Sequence, residues 1–504
     1  MENLPILISR TTAHLRRMGL EKPHHPAIVD GTNIVDYRRL DQMAAAYAAS
    51  LQKNGLQFGD RVCLFLDKSV ALVAALYGTW LAGGVAVPLF PELRDAQVTH
   101  IGHDSGCRFF VTEPRRLARL KPESIHGHVL LVPEQLEAAP SRFDEPPQIE
   151  GGDPAIILYT SGSTGKPKGI CVSHDNLEAG TRIVARYLEL SSEERILSVL
   201  PFNFDYGLNQ LLTSVYRGAT LVLERTGLPA EICRTLIAHR ITGLAGVPPL
   251  WLQLVGRFSP FRTMDFPHLR YLTNTGGAFP VSVLDQIRQR LPHTRIFLMY
   301  GLTEAFRSSY LPPEELDLRP TSMGIAIPET RLEILAPQGD ACGPDEIGEL
   351  VHSGPTVAMG YWNNPRATAA TFRPDPFSDR AGTRMVHSGD RVRRDAAGYF
   401  TFVGRGDKML KINGFRLNPE EVEEIAYASG LAHEAIAKPQ TERDGSVRLV
   451  LHVVPRDPEA FQPRDLLAYC KGHMPRYMVP AKLQVHASFP RTATGKIARE
   501  QVHP

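Results

Sequence analysis

Cysteine is scarce and unpatterned in this chain. Cys63, Cys107, Cys171, Cys233, Cys342 and Cys470 are spread over 504 residues with no CxxC pair and no metal-ligand spacing. That excludes a disulfide framework and predicts reduced thiols in a cytosolic protein. An excess of charge of one sign is missing too: 56 Lys and Arg stand against 54 Asp and Glu. A nucleic-acid binder working through a broad basic surface is thereby disfavoured. No apolar run is long enough for a membrane span. Ser69–Phe90 carries no charge, but Gly83, Gly84 and Pro88 interrupt it, and a spanning helix needs about 20 apolar residues in a row. A buried helix followed by a short strand, Val85–Leu89, fits that stretch better. After Ser9 the N-terminus is too polar for a signal-peptide core. The expectation is a soluble, cytoplasmic protein. Internal repeats and low-complexity tracts are also lacking.

What is present is ordinary globular material. Hydrophobic residues make up 43% and charged ones 22%, which excludes disorder and coiled-coil architecture. The length predicts two to four folding units. From Asp36 to about Pro320, helix-period segments such as Tyr37–Lys53 alternate with short apolar runs such as Val62–Leu66, Ile156–Tyr159 and Ile296–Met299. That alternation predicts an α/β fold with parallel sheets, here two doubly wound α/β subdomains. After Thr321 short alternating strands between Gly, Pro and Asp predict a small antiparallel β-barrel. Gly404-Arg405-Gly406-Asp407 then marks a boundary. The expected units are residues 1–404 and a mobile C-terminal α+β domain, 405–504, with Pro419–Ala428 helical and Arg448–Val454 a strand.

The sharpest local signal is Tyr159-Thr-Ser-Gly-Ser-Thr-Gly-Lys-Pro-Lys-Gly169. Its four Ser/Thr, three Gly and two Lys supply hydroxyls, approachable backbone N–H groups and positive charge, the means to wrap a polyphosphate. It is not a Walker loop. Pro167 follows the first lysine where Ser or Thr is required, and Thr160 stands where the upstream glycine should be. Ile170–Val172 also continues as a strand instead of opening a helix.

That loop resembles the phosphate-binding signature of adenylate-forming enzymes: acyl-CoA synthetases, amino-acid adenylation domains and luciferases. Five further segments resemble the family's motifs in order: Asn274-Thr-Gly-Gly-Ala278, Tyr300-Gly-Leu-Thr-Glu304, His387-Ser-Gly-Asp390, Gly404-Arg-Gly-Asp407 with Lys411-Ile-Asn-Gly414-Phe-Arg416, and Thr494-Gly-Lys496. The resemblance extends over nearly the whole chain. It implies ATP, Mg²⁺ and a thiol acceptor. Thr160, Ser161, Gly162, Ser163, Thr164, Gly165 and Lys168 would hold the phosphates. Gly277, Ala278 and Tyr300 would line the adenine, and Asp390 and Arg405 the ribose. Thr303 would contact the α-phosphate, Glu304 and Thr164 would hold the metal, and Lys496 would be catalytic. Asp407 would be the hinge and Gly414 the wall of the thiol tunnel.

The chemistry accounts for these residue types. Attack of a carboxylate on the ATP α-phosphate brings two anions together, so a lysine bridging them stabilises the transition state. A metal and a cationic loop neutralise the leaving pyrophosphate.

Substrate residues follow from Leu200-Pro-Phe-Asn-Phe-Asp-Tyr-Gly-Leu-Asn-Gln210. Acyl-CoA synthetases commonly carry a histidine where Phe204 stands, whereas amino-acid adenylation domains show Phe-Asp, as Phe204-Asp205 does. The resemblance places Phe204, Asp205, Tyr206, Asn209, Gly276, Met299 and Arg307 in the acyl pocket. Arg307 suggests a second acidic group on the substrate, or a structural pair with Asp205. Leu417-Asn-Pro-Glu-Glu-Val-Glu423 resembles the acyl-CoA synthetase version of its motif. The chain is also similar to stand-alone acyl-CoA or amino-acid–carrier-protein ligases, including exosortase-associated acyl-CoA ligases. With Pro504 last, the thiol is expected in trans, from CoA or a separate carrier protein. The best expectation is activation of a small amino, polar or acidic carboxylic acid. The alternatives are an ordinary acyl-CoA synthetase for an aliphatic or aromatic acid, a luciferase-like oxygenase, or an inactive binding homologue.

Overall fold

A computed structural model describes residues 10–132, 147–160, 167–279, 281–380, 382–405, 410–412, 415–442, 444–490 and 499–502. Two large mixed sheets are built mainly from the first 330 residues. The nine-stranded sheet has six parallel strands at its centre, in the order Arg295–Tyr300, Tyr271–Asn274, Gly243–Gly246, Arg195–Ser198, Thr220–Leu223, Pro26–Asp30. Antiparallel strands finish both edges: Asn33–Asp36 on one side, Ser309–Leu311 and Ile325–Ala326 on the other. The seven-stranded sheet is parallel from Pro154–Thr160 through Val85–Pro88, Arg61–Phe65 and Phe109–Thr112 to His128–Leu131. Lys168–Ser173 and Gly360–Tyr361 extend it antiparallel. The expected parallel sheets are therefore mixed ones.

The uncharged stretch behaves as its composition predicts. Ser69 caps the helix Val70–Leu81 by accepting from the Leu72 N–H at 3.3 Å, and Val85–Pro88 follows as a wholly buried strand. The helix packs against Tyr37–Lys53, whose Asp36 cap accepts from the Arg39 N–H at 2.7 Å. Each large apolar side chain buried this way is worth roughly 1.5–3 kcal/mol. No helix among the described residues is long and apolar enough to cross a membrane. All six cysteines are buried and free.

Among the described residues the expected barrel does not close. Arg331–Leu335, Gly348–Ser353, Arg384–Arg394 and Phe372–Pro374 form an open antiparallel sheet, with Phe400–Arg405 paired to the long strand Arg384–Arg394. Bulges at Glu349/Val351 and Arg391/Val392 let that strand bend and pair with three neighbours, which uses up its edges without a closing partner. Beyond it lie the hairpin Leu410–Ile412/Phe415–Leu417 and a three-stranded sheet, Ala432–Thr441, Val447–Pro455 and Lys482–Val485, with helices Pro419–Ala428 and Pro463–His473. These elements share a core of their own, including Leu417, Val422, Leu451 and Leu466.

Candidate active site

The C-terminal ends of the central parallel strands open onto one cleft, the position where open α/β sheets bind ligands. Tyr271–Asn274 delivers Thr275 and Gly276, and Arg295–Tyr300 delivers Gly301, Leu302 and Thr303. Thr160 closes the cleft from the seven-stranded sheet, and Asp390 from the open antiparallel sheet. Gly276 has φ +83°, a left-handed turn that admits glycine readily.

Segment 300–308 is a closed turn. The Ser308 N–H donates to the Tyr300 carbonyl at 3.1 Å, and the Ala305 N–H to Leu302 at 3.0 Å. Phe306 sits inside it with φ +54°, a conformation that costs a bulky residue about 1–3 kcal/mol. Its ring is fully buried against Gly180 of the helix His174–Tyr187, where a methyl group would overlap it. The packing holds the strained turn, and the turn directs Arg307 into the cleft.

Arg307 and Asp205, 1% and 4% exposed, face each other there. Arg307 Nη1 donates to the Phe306 carbonyl at 2.9 Å and lies 3.4 Å from Asp205 Oδ2. Asp205 Oδ1 accepts from the Tyr206 N–H at 2.8 Å. Burial raises the Asp205 pKa above its ordinary value, against the opposing pull of Arg307. The guanidinium carbon lies 4.8 Å from the centre of the Tyr206 ring, and the Tyr206 hydroxyl bonds with Thr273. Phe204, Asp205, Gly276 and Arg307 line the cleft. Tyr206, Asn209 and Met299 are buried behind it, Met299 taking the Tyr187 hydroxyl on its sulfur at 3.0 Å. Gly207 is required where the helix Asp205–Arg217 starts, because a side chain there would overlap the Pro201 carbonyl.

Asp390 lines the cleft as well, and Glu304 is buried directly after the lining residue Thr303. Asp390 accepts from the Tyr300 hydroxyl, and its N–H donates to Ser388 Oγ at 3.0 Å. Glu304, 4% exposed, accepts from the Tyr361 hydroxyl at 2.8 Å. The Lys168 ammonium lies 5.8 Å from the centre of that tyrosine ring. Thr160 and Lys168 are cross-strand partners, and their strands are fastened to the helix Asp95–Ser105 by Tyr159 Oη to Asp104 Oδ2 (2.6 Å) and by His100 to the Pro167 carbonyl (2.9 Å). Gly277 and Ala278 continue the turn after Gly276, with the Gly277 carbonyl accepting from Asn274 Nδ2 at 3.1 Å.

From the C-terminal elements, Lys411, Phe415 and Tyr477 complete the lining. Phe415 stacks on Tyr477 with centroids 4.3 Å apart, and lies 5.7 Å from Phe90 and 6.4 Å from Phe204. Tyr361, Phe90 and Tyr477 were not legible as site residues, because no local pattern distinguishes them. Ser161, Gly162, Ser163, Thr164, Gly165, Asp407, Gly414 and Lys496 lie outside the described residues. The backbone of Arg405 pairs with that of Asp390.

An AMP-binding enzyme model matches residues 15–362, and the AMP-binding enzyme C-terminal domain matches 421–496. The chain belongs to the AMP-binding enzyme family. These are the adenylate-forming enzymes, acyl-CoA synthetases and adenylation domains, which use ATP and Mg²⁺ with CoA or a phosphopantetheine carrier as acceptor. This AMP-binding enzyme is 31% identical to a feruloyl-CoA synthase of Amycolatopsis sp over 487 residues, covering 95% of this chain and 96% of that one. It is 30% identical to gramicidin S synthase 2 of Brevibacillus brevis over 484 residues, 95% of this chain but only 10% of that much longer one. In fold it is similar to o-succinylbenzoate CoA synthetase from Bacillus subtilis bound with a product analogue, with a TM-score of 0.86, 23% identity and 97% of each chain covered. Among the described residues no group of three or more His, Cys, Asp or Glu could hold a metal. Glu304, a buried carboxylate next in the chain to the cleft-lining Thr303, nonetheless suits Mg²⁺, an ion that binds through one or two carboxylates plus substrate phosphates and water.

Proposed function

We propose that this enzyme is an AMP-forming acid–thiol ligase. It activates a small amino, polar or acidic carboxylic acid as the acyl-adenylate, then passes the acyl group to the phosphopantetheine thiol of CoA or a carrier protein. The observation that carries this is the convergence, on one cleft, of Thr303 and Asp390 with the buried Asp205–Arg307 pair, Glu304 being buried directly after Thr303 in the chain.

In this reading Asp390 and Arg405 fix the ribose, Gly277, Ala278 and Tyr300 the adenine, and Thr160 to Gly165 with Lys168 the phosphates. Thr303 holds the α-phosphate. Glu304 and Thr164 would hold Mg²⁺, which would supply charge neutralisation to the triphosphate. Lys496 bridges the acid carboxylate and the α-phosphate as the charges meet. Residues 1–404 and 405–504 act as separate units hinged at Asp407, with Gly414 beside the thiol path. The small free volume supports such movement. With Lys411, Phe415 and Tyr477 in place the cleft holds about 120 Å³, below the roughly 300–1,000 Å³ of ordinary ligand pockets. A broader cleft beside Phe415 carries Arg94, Arg119, Lys471 and Arg476, cations that suit the phosphates of the incoming acceptor.

A second reading has its own support. Asp205 and Arg307 face each other as a pair, and the feruloyl-CoA synthase relative is named for an aromatic acid. An ordinary acyl-CoA synthetase for an aromatic or aliphatic acid would use the pair structurally. Pyrophosphate exchange into ATP across amino, hydroxy, dicarboxylic, aromatic and fatty acids decides between them. Lys496→Ala should lower exchange by roughly 10²–10³ while thioester formation from supplied acyl-adenylate survives. Equal loss in both half-reactions would remove the lysine from this role.

A further inference from the structure

Arg307 is among the largest fully buried side chains in the protein, yet only one of its three nitrogens is in use. Nη1 serves both the Phe306 carbonyl and Asp205. Nε and Nη2 are buried with no hydrogen-bond partner. Those two nitrogens form one edge of the guanidinium fork, spaced to meet both oxygens of a carboxylate side-on. Leaving charged donors buried and unanswered is costly, so a site built this way gains most from a ligand that answers them. The residue lines the cleft, and the Tyr206 face 4.8 Å away fixes the plane of the fork.

Asp205 offers the opposite picture. Oδ1 takes the Tyr206 N–H and Oδ2 faces Arg307, so each oxygen already has a donor before any substrate ammonium arrives. The donors left unanswered are those of Arg307, and they call for an anion.

We infer that the acid carries a second carboxylate, remote from the one that is activated, and that Arg307 Nε and Nη2 seat it. The inference rests on the ligase reading and narrows it: a dicarboxylic acid, not an α-amino acid, is the substrate class. Asp205 then serves as a positioning residue that holds Nη1 and leaves the Nε–Nη2 edge unengaged.

The test compares matched pairs in pyrophosphate exchange, aliphatic and aromatic dicarboxylic acids against their monomethyl esters and monoamides. The diacid should exceed its monoester by roughly 10- to 100-fold in kcat/KM, the range of a charge-assisted buried pair. Arg307→Lys, which keeps the charge and loses the fork, should raise KM for the diacid with little change in kcat. Arg307→Leu should erase the preference and improve the monoester, with melting temperatures recorded so that a misfolded variant is recognised and the lysine variant decides. Equal use of diacid and monoester, or a preference for α-amino acids abolished by Asp205→Ala, would overturn the inference and leave the ligase intact. If no acid drives exchange, the ligase reading fails, and calorimetric titration of the wild type with the same diacids and monoesters still decides. Diacid binding lost in Arg307→Leu supports the second-carboxylate site, and its absence overturns it.

Discussion

Gly180 lies in the interior of the helix His174–Tyr187, where two physical arguments give opposite forecasts for Gly180→Ala. Helix propensity favours alanine by about 1 kcal/mol, so a helix considered alone should become more stable. The surroundings argue the other way. A methyl at this position would overlap Phe306 Cδ1 and stand 2.8 Å from Cε1. The ring has no room to swing, being completely buried in a turn whose backbone is at φ +54°. Overpacking of this kind costs typically about 1–3 kcal/mol, enough to outweigh the propensity gain. The displaced ring must also move Arg307, the next residue, whose N–H is bonded to Ala305 at 2.6 Å. The variant should therefore melt below the wild type, and KM for the acid should rise while KM for ATP changes little. Thermal denaturation with pyrophosphate exchange at varied acid and varied ATP measures all three. A variant that melts higher, with its acid KM unchanged, would refute the claim that the helix, through Phe306, sets the position of Arg307.

Three other outcomes are expected. Tyr361→Phe removes the hydroxyl that orients Glu304 at 2.8 Å; the Mg²⁺ concentration for half-maximal exchange should rise about 10-fold, and an unchanged metal dependence would separate Glu304 from the ion. Burial lowers the His352 pKa from 6.5 to about 3. The unfolded chain then binds a proton between those values that the native one refuses, so stability falls as pH drops through that window. His352→Gln should flatten the slope by about 1.4 kcal/mol per pH unit, read from denaturant titrations at pH 4 to 6. Burial, aided by Glu424, raises Glu421 from 4.5 to about 8, so its contribution runs the other way, stability falling as pH rises between those values. Glu421→Gln should match the wild type near pH 4 and exceed it by up to a few kcal/mol at pH 8; equal melting temperatures at both pH values would refute the burial argument.

Much of the fold was legible because local signals and burial agree. Asp36 before an apolar-periodic run marks the helix Tyr37–Lys53, and Pro419–Ala428 likewise falls where its pattern places it. The antiparallel edges were less evident, although one could have been read: the stretch 161–167 is shorter than the dozen or so residues a parallel crossover needs, and Pro154–Thr160 with Lys168–Ser173 indeed pair antiparallel. The barrel failed for a different reason. Short alternating strands establish an antiparallel sheet with one buried face, but closure depends on bulges and strand order, such as the three neighbours of Arg384–Arg394, which alternation does not encode.

The site divides along the same line. Residues within a motif that line the cleft, such as Gly276 and Thr303, were legible because one turn of chain sets their spacing. Their supports come from far away in sequence: Tyr361 to Glu304, Gly180 to Phe306, and His352 between Ser308 and Thr356 at 2.9 and 3.1 Å. The last of these reaches the pocket, since the Thr356 hydroxyl also donates to the Arg307 carbonyl at 3.4 Å. A strained turn carrying a buried charge persists only if its neighbours over-determine it. Here a helix glycine, a neutral histidine and a threonine hydroxyl fix the turn from separate elements. The motif thus marks the turn in the sequence, while the side chains that hold it in place are ones that only the folded arrangement brings together.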